Sequence, residues 1–316
     1  MALGEFELIA RWFGRAPRRA DVRLGVGDDA ALLDVPAGRT LVVATDTLVE
    51  GRHFLPGAPA RSVGHQALAV NLSDLAAMGA EPAWALLSLS LPEVDEAWLD
   101  GFASGFHALA EVHHVDLVGG DTVRGPRVIT VQVLGFVDGA RALRRDGARP
   151  GDRVYVSGTP GEAAAGLDAL RSGAAFDTSN LLVRRCLYAE PRVALGRALV
   201  GRATAAMDVS DGLLGDLAKL CAASGVGARV DLDALPVSPA LAAAHDRGRC
   251  EQYVLEGGDD YELLFTLPPG ADAAALSGAG GVAVTCIGRI DGAPGVHCER
   301  GGREVPYQAR GYDHFG

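Results

Sequence analysis

The 316 residues are 48% hydrophobic, so a core large enough for about two ordinary domains can be buried. A formal net charge of -11 excludes a general nucleic-acid binder, which neutralises phosphates with a basic stripe. No stretch reaches the ~18 uninterrupted apolar residues of a membrane span, and the amino-terminal residues carry no signal-peptide pattern, so the expected compartment is the cytoplasm.

In chain order, RTLVVATDTLV (39–49) reads as a strand entering a polar turn at Thr45-Asp46-Thr47, which puts a carboxylate at the strand's end. From Arg61 to Met78 the apolar positions Val63, Ala67, Leu68, Leu72, Leu75 and Met78 recur at helical spacing, and Gly79 with Pro82 stops the run. AWALLSLSLP reads as a buried strand, residues 95–113 as a helix, VDLVGGDT as a short strand opening into a Gly-Gly-Asp turn, and RVITVQVLGFV as a further strand. Glycine, proline and charge cluster in RRDGARPGD (144–152), which places a domain boundary near there and predicts domains 1–148 and 149–316.

The second half repeats the mixed pattern. The strand RVYVSG is followed by a helix from about Glu162 to Arg171, another over 192–200, the strand-like ATAAMDVS, a helix over 212–223, and the strand-like ARVDL, GGDDYELLFTL and VAVTCIGRI. The tail from Gly292 reads as turn-rich. SGAGGVA lacks the strand-then-helix context of a dinucleotide fingerprint and reads as a loop. Two mixed α/β domains are expected. The five cysteines are scattered, odd in number and never in C-x-x-C spacing, which points to reduced thiols rather than disulfides or zinc.

Acidic residues recur on short turns: Asp28 and Asp29 in GVGDDAAL, Asp46 in ATDTL, Asp74 in NLSDL, Asp121 in GGDT, Asp208 and Asp211 in DVSDG, and Asp259, Asp260 and Glu262 in GGDDYE. Turn formation alone accounts for any one of them, because Asp makes side-chain turns and Gly takes positive φ. Taken jointly, carboxylates at several strand ends suit a hard cation such as magnesium, which takes oxygen ligands and bridges them to nucleotide phosphates. Lys219 is the only lysine and lies in DGLLGDLAKL rather than in a glycine-rich loop, so no Walker-type lysine exists and metal would have to supply the charge. NLSDL and DVSDGL each carry Ser-Asp ahead of a helical run, where either residue also serves as an N-cap. His53 in GRHF and Tyr312 and Phe315 in GYDHFG read as packing residues or as ligand contacts.

The strings GEFELIARWF, GVGDDAALL, ATDTLVEGRHFLP, LAVNLSDLAAMGAEPAW, GGDTVRGP, RRDGARPGDRVYVSGTPG, MDVSDGLLGDL, GGDDYELLFT and GYDHF, in that order from residue 4 to 315, resemble the thiamine-monophosphate kinase family. GGDT and DxSDGL also occur across the wider superfamily that resembles aminoimidazole ribonucleotide synthetase. The resemblance implies a two-domain aminoimidazole ribonucleotide synthetase-like fold, α/β with mixed sheets packed against helices. Its amino-terminal domain would bind ATP and metal and pair in a homodimer, and its carboxy-terminal domain would close the nucleotide and substrate site.

It also implies direct transfer of the ATP γ-phosphoryl group to thiamine monophosphate, giving thiamine diphosphate, with several Mg²⁺ ions. By resemblance the metal ligands fall on Asp29, Thr45, Asp46, Asp74, Asp121, Asp208 and Asp211. Nucleotide contacts fall on Gly120, Asp121, Arg145 and Ser210, and thiamine-phosphate contacts on His53, Asp259 and Tyr312. Asp74, Asp121, Asp208 and Arg145 form the catalytic set. Asp259 departs from the family's Gly-Gly-Glu-Asp-Tyr-Glu by one methylene, which leaves room for a bridging water. A selenophosphate-synthetase reading is disfavoured because the first cysteine is Cys186, and a non-catalytic binding module because the other ligand types are intact.

Overall fold

A computed structural model describes residues 4–139, 141–278 and 281–307. The chain divides into two compact units, residues 1–75 with 80–140, and residues 76–79 with 141–316.

The first unit is built on a four-stranded mixed sheet of β3 (Arg39–Val49), β6 (Val128–Asp138), β4 (Glu81–Leu91) and β5 (Asp116–Arg124), in that order, with a small antiparallel pair β1 (Val22–Leu24) and β2 (Leu32–Leu33) beside it in sequence. β6 runs antiparallel to both β3 and β4, while β4 and β5 are parallel and joined by the crossover helix α3 (Glu96–Val112). Asp95 caps α3 by accepting the Trp98 N–H at 3.1 Å, and the helix buries Leu99, Phe102, Phe106, Leu109 and Ala110 at helical spacing. α2 (Ala60–Ala77) is buried almost all round, including Leu68, Leu72 and Leu75. The two helices cross backbone to backbone. A Cβ on Gly64 would lie 2.0 Å from the Phe102 carbonyl oxygen, and one on Gly105 would lie 1.9 Å from that of Arg61. The N-terminal segment, which begins with α1 (Glu5–Trp12), is latched by Asp116, whose buried carboxylate accepts the N–H groups of Arg18 and Arg19 at 2.8 Å each.

The second unit carries a seven-stranded sheet in the order β13 (Arg303–Val305), β12 (Gly295–Arg300), β9 (Gly227–Asp231), β11 (Val284–Asp291), β7 (Arg153–Ser157), β10 (Glu262–Leu267) and β8 (Ala205–Val209). All pairs are antiparallel except β12 with β9, so this sheet too is mixed. Its helices are α4 (Glu162–Arg171), α5 (Leu181–Leu187), α6 (Val193–Leu199), α7 (Leu213–Ser224), α8 (Pro239–Ala244), α9 (Arg247–Glu256) and the single turn α10 (Ala274–Ser277). One apolar core joins Val154, Val156, Met207 and Leu264 of the sheet to Leu214, Leu217, Leu220 and Val254 of α7 and α9. β10 is buried at every position, as an inner strand flanked by helices requires.

The structure corrects four readings. β3 does not end at Thr45-Asp46-Thr47; it stays paired with β6 through Val49, so Asp46 lies inside a strand opposite Val131. Gly119-Gly120-Asp121 is not a turn but part of β5, continuous with β4 past a bulge. Gly120 is required there, because its φ is 152° and a Cβ would sit 1.8 Å from the Leu87 carbonyl oxygen. Neither Ser-Asp pair caps a helix: Ser73 and Asp74 lie in the interior of α2, and Gly212 is the N-cap of α7 with no side-chain cap. Residues 295–305, read as part of a turn-rich tail, form β12 and β13, a hairpin turned by Gly301 and Gly302 at φ 55° and 74°, where two consecutive positive-φ residues suit the right-handed strand twist. Among the described residues no helix is long and apolar enough to cross a membrane, and all five cysteines are free.

Candidate active site

Within the second unit, two acidic loops are laced together. β8 pairs with β10 so that Asp208 faces Leu263 and Val209 faces Glu262, which brings the segment after β8 beside the segment before β10. The Asp259 N–H donates to the Ser210 carbonyl and the Tyr261 N–H to the Val209 carbonyl, each at 2.9 Å. Asp208 is buried at 6% exposure, and Ser210 and Asp211 follow it into the turn closed by Gly212 at φ 109°. Asp216, on the core face of α7, fixes that turn: one carboxylate oxygen accepts the N–H groups of Ser210 and Asp211 at 2.9 and 3.0 Å. Its other oxygen accepts from Lys219, which also reaches Asp211.

The GGDDYE turn is held from three sides. Asp259 and Tyr261 both take positive φ, 63° and 53°, a conformation that costs a tyrosine energy and persists only when its surroundings enforce it. Between them Asp260 turns away to cap α4, accepting the N–H groups of Gly161 at 2.7 Å and Ala163 at 3.3 Å; burial nonetheless pushes its carboxyl well above the usual range. Glu262 is buried and accepts from Ser157, Arg185 and Arg192, the last through two hydrogen bonds of 2.7 and 2.5 Å. Arg185 continues to Glu162 and Glu190, and Arg192 to Glu190, forming a five-member ionic network under the turn. Asp259 is left as the carboxylate of the turn beside Asp211, and the Tyr261 hydroxyl donates to it at 3.2 Å. Burial and the Asp211 charge raise its carboxyl, against the opposing effects of Tyr261 and Arg171.

The remaining residues of the second unit are more loosely set. Arg145 is exposed, has no side-chain partner among the described residues, and is held at its carbonyl by the Ser224 hydroxyl at 2.8 Å. Its neighbour Arg144 is committed to Asp146 through hydrogen bonds of 2.8 and 2.6 Å. Tyr312 and Phe315 lie outside the described residues.

In the first unit the sheet register orders the candidates. Asp121 stands in a row with Ser88, Thr130 and Thr47, and the Thr47 and Thr130 hydroxyls hydrogen-bond at 2.8 Å. The adjacent row holds Asp46, Val131, Leu87 and Gly120. The Asp46 N–H donates to the buried Asn71 amide of α2 at 2.9 Å, one turn before Asp74, and Asn71 in turn donates to the Ala67 carbonyl. The Thr45 hydroxyl donates to the Val131 carbonyl at 3.0 Å. Asp29 lies in the exposed turn between β1 and β2, where its N–H donates to Asp28 at 2.8 Å. His53 closes a tight turn, its Nδ1 accepting the Val49 N–H at 3.0 Å, which leaves Nε2 to carry the proton of the neutral ring. Among the described residues no group of three or more His, Cys, Asp or Glu is already arranged to hold a metal ion.

Two elements escaped the sequence reading, Asp216 and the arginines that hold Glu262, and one was read otherwise. Asp216 could have been found as a carboxylate on a helix face otherwise made of Leu213, Leu217 and Leu220, since a buried acid must be satisfied. Ser73, read as an N-cap, and Asn71 are instead fully buried polar residues within the apolar run of α2. The Arg185 and Arg192 pairings with Glu262 span about seventy residues and leave no local signal.

Comparison with known proteins gives a consistent answer over the whole chain. The family model "AIR synthase related protein, N-terminal domain" matches residues 27–137, and the corresponding C-terminal domain model matches residues 149–299. The thiamine-monophosphate kinase of Salmonella typhimurium is 49% identical over 323 aligned positions that cover 100% of this chain and 99% of the relative; that of Escherichia coli K12 is 48% identical with the same coverage. Among solved structures, the thiamine-monophosphate kinase of Stenotrophomonas maltophilia superposes with a TM-score of 0.88 at 47% identity, covering 95% of this chain and 98% of the other. AaThiL complexed with AMPPCP and TMP superposes with a TM-score of 0.78 at 33% identity, covering 100% and 99%. Both halves match in order and near-half identity runs end to end, so the chain belongs to the thiamine-monophosphate kinase family.

Proposed function

We propose that this chain transfers the γ-phosphoryl group of ATP directly to the phosphate of thiamine monophosphate, forming thiamine diphosphate and ADP. The observation that carries this is the full-length likeness to AaThiL, which was solved with AMPPCP, a non-hydrolysable ATP analogue, and TMP. The acceptor is a phosphate monoester whose oxygens are already ionised near neutral pH, so the protein needs no strong general base. Its task is to align two anions and neutralise their charge.

The residues present fit Mg²⁺. The donor set is all oxygen, and the Asp211 carboxylate already holds one cation, the Lys219 ammonium. Asp29, Thr45, Asp46, Asp74 and Asp121 of the first unit, and Asp208 and Asp211 of the second, are the proposed ligands. Magnesium, when bound, supplies positive charge to the non-bridging oxygens of the two phosphates. Arg145, exposed and unpaired among the described residues, is assigned to the equatorial oxygens of the transferring group. Gly120, Asp121 and Ser210 are assigned to the nucleotide. His53 donates from Nε2 to the substrate phosphate, with Asp259 and Tyr312 assigned to the thiamine moiety. Residues 1–148 are read as the ATP- and metal-binding, dimer-forming domain, and residues 149–316 as the domain that completes the substrate site.

A homodimer in the cytoplasm completes the reading. In its support, β3 is an edge strand that leaves Leu41 and Val43 exposed at 39% and 50%, and the five thiols are all free. The test is ADP release from ATP and Mg²⁺ with thiamine monophosphate, thiamine, or no acceptor, with products identified by mass. Magnesium-dependent thiamine diphosphate formation is expected; turnover without the acceptor would refute the assignment.

A further inference from the structure

Of the 29 basic side chains, Lys219 alone is a lysine, and its position explains why arginine does not serve. Its Nζ lies 2.5 Å from Asp211 Oδ2 and 2.8 Å from Asp216 Oδ1. The two carboxylates differ. Asp216 is fully buried, and its other oxygen is spent on the N–H groups of Ser210 and Asp211. Asp211 stands at the rim of the turn with 31% of its side chain exposed. A compact ammonium on a flexible stem can join two carboxylates that converge on one point, whereas a planar guanidinium is built to face one carboxylate with its fork. The Lys219 side chain is itself 43% exposed, so it can leave one partner without opening a hole in the core.

We propose that Lys219 is a positioning residue that acts as a tethered counter-cation for Asp211, holding the DVSDG turn together when no divalent cation is bound and competing with that cation for Asp211. This rests on the reading of Asp211 as a metal ligand. With a divalent ion at Asp211, Lys219 would give up that carboxylate and keep Asp216, and the turn would retain its backbone anchors on Asp216. The displaced contact lowers the intrinsic affinity of the site. In exchange, the turn does not open through repulsion between Asp211 and the neighbouring Asp259 when the ion is absent.

The test is Mn²⁺ binding to the full-length, nucleotide-free protein, with free ion measured by electron paramagnetic resonance, and melting temperature recorded in EDTA and in excess Mn²⁺. Lys219→Met is expected to bind Mn²⁺ about fivefold more tightly than the native protein, the factor that losing one half-exposed ion pair as competitor represents. It is also expected to melt lower in EDTA and to gain more from Mn²⁺. Lys219→Gln, which can still donate to Asp216, must show the same tightening. Simple structural damage would weaken binding instead. Unchanged or weaker Mn²⁺ affinity in both variants, with Asp211→Asn still weakening it, overturns the role of Lys219 and leaves the ligand assignment standing. If Asp211→Asn leaves Mn²⁺ binding unchanged, the ligand assignment fails and this inference goes with it.

Discussion

Replacing Arg192 by methionine should destabilise the protein by about 3–5 kcal/mol, because it strips the buried Glu262 carboxylate of its bidentate partner and leaves the charge behind. Arg192 donates to Glu262 at 2.7 and 2.5 Å and to Glu190 at 3.1 Å, while Glu262 is 1% exposed. Burial works against the Arg192 charge, yet Glu262 and Glu190 lift its pKa overall, so the pair is held as an ion pair. Arg185 remains at 3.2 Å but is already shared with Glu162 and Glu190, so it cannot make good the loss. Methionine keeps most of the side-chain volume, which confines the cost to electrostatics and hydrogen bonding.

The assay is urea unfolding followed by far-ultraviolet circular dichroism on four proteins: native, Arg192→Met, Glu262→Gln, and the double variant. With Glu262 already neutral, Arg192→Met should cost only about 1–2 kcal/mol, a coupling of about 2–3 kcal/mol. Arg192→Lys should recover only part of the loss, since one ammonium cannot reproduce the fork. Equal cost of Arg192→Met in both backgrounds would refute the argument that an uncompensated buried charge dominates.

Other expectations follow from individual sites. His113 is pushed down to about 4 from 6.5, chiefly by burial and then by His65 and His114. A depressed folded-state pKa means the neutral ring is favoured by folding, so the stability it contributes is full above about pH 6.5 and is lost as pH falls towards 4. The loss is on the order of 2 kcal/mol after solvent screening, and His113→Gln should flatten that part of the pH–stability profile measured by urea titration. Gly120→Ala should lower the melting temperature sharply, by about 3 kcal/mol or more in stability, because its Cβ would meet the Leu87 carbonyl at 1.8 Å; a near-native melt would contradict the observed strand contact. Asp216→Asn keeps one acceptor oxygen but loses the Lys219 charge pair, so kinase turnover should fall about tenfold or more while the fold persists; undiminished turnover in a steady-state assay would show that the DVSDG turn needs no such anchor.

Much of the fold was legible locally. Long apolar periodicities located α2, α3, α4 and α7 to within about one residue, and β-branched runs located β3, β4, β6, β7 and β11. What misled was glycine with aspartate, read as a turn wherever it occurred. In β5 the same Gly-Gly-Asp is a strand forced to glycine by the closeness of Leu87, a tertiary cause invisible in the string. Helix α9 was missed because Arg247, Gly248 and Arg249 dilute its pattern, although Cys250, Tyr253, Val254 and Leu255 carry its buried face. The ATDTL, NLSDL, GGDT, DVSDG and GGDDYE motifs pointed to the acidic residues directly. Their supports, Asp216, Arg185 and Arg192, act through long-range pairing and had to be seen in three dimensions.

The central claim is direct transfer between two phosphates, and a single-turnover rapid-quench experiment with γ-labelled ATP, Mg²⁺ and thiamine monophosphate tests it most closely. Label is expected to pass from ATP into thiamine diphosphate in one phase, with none held on protein. Label appearing first on protein, or accumulating as inorganic phosphate in step with ADP, would contradict it.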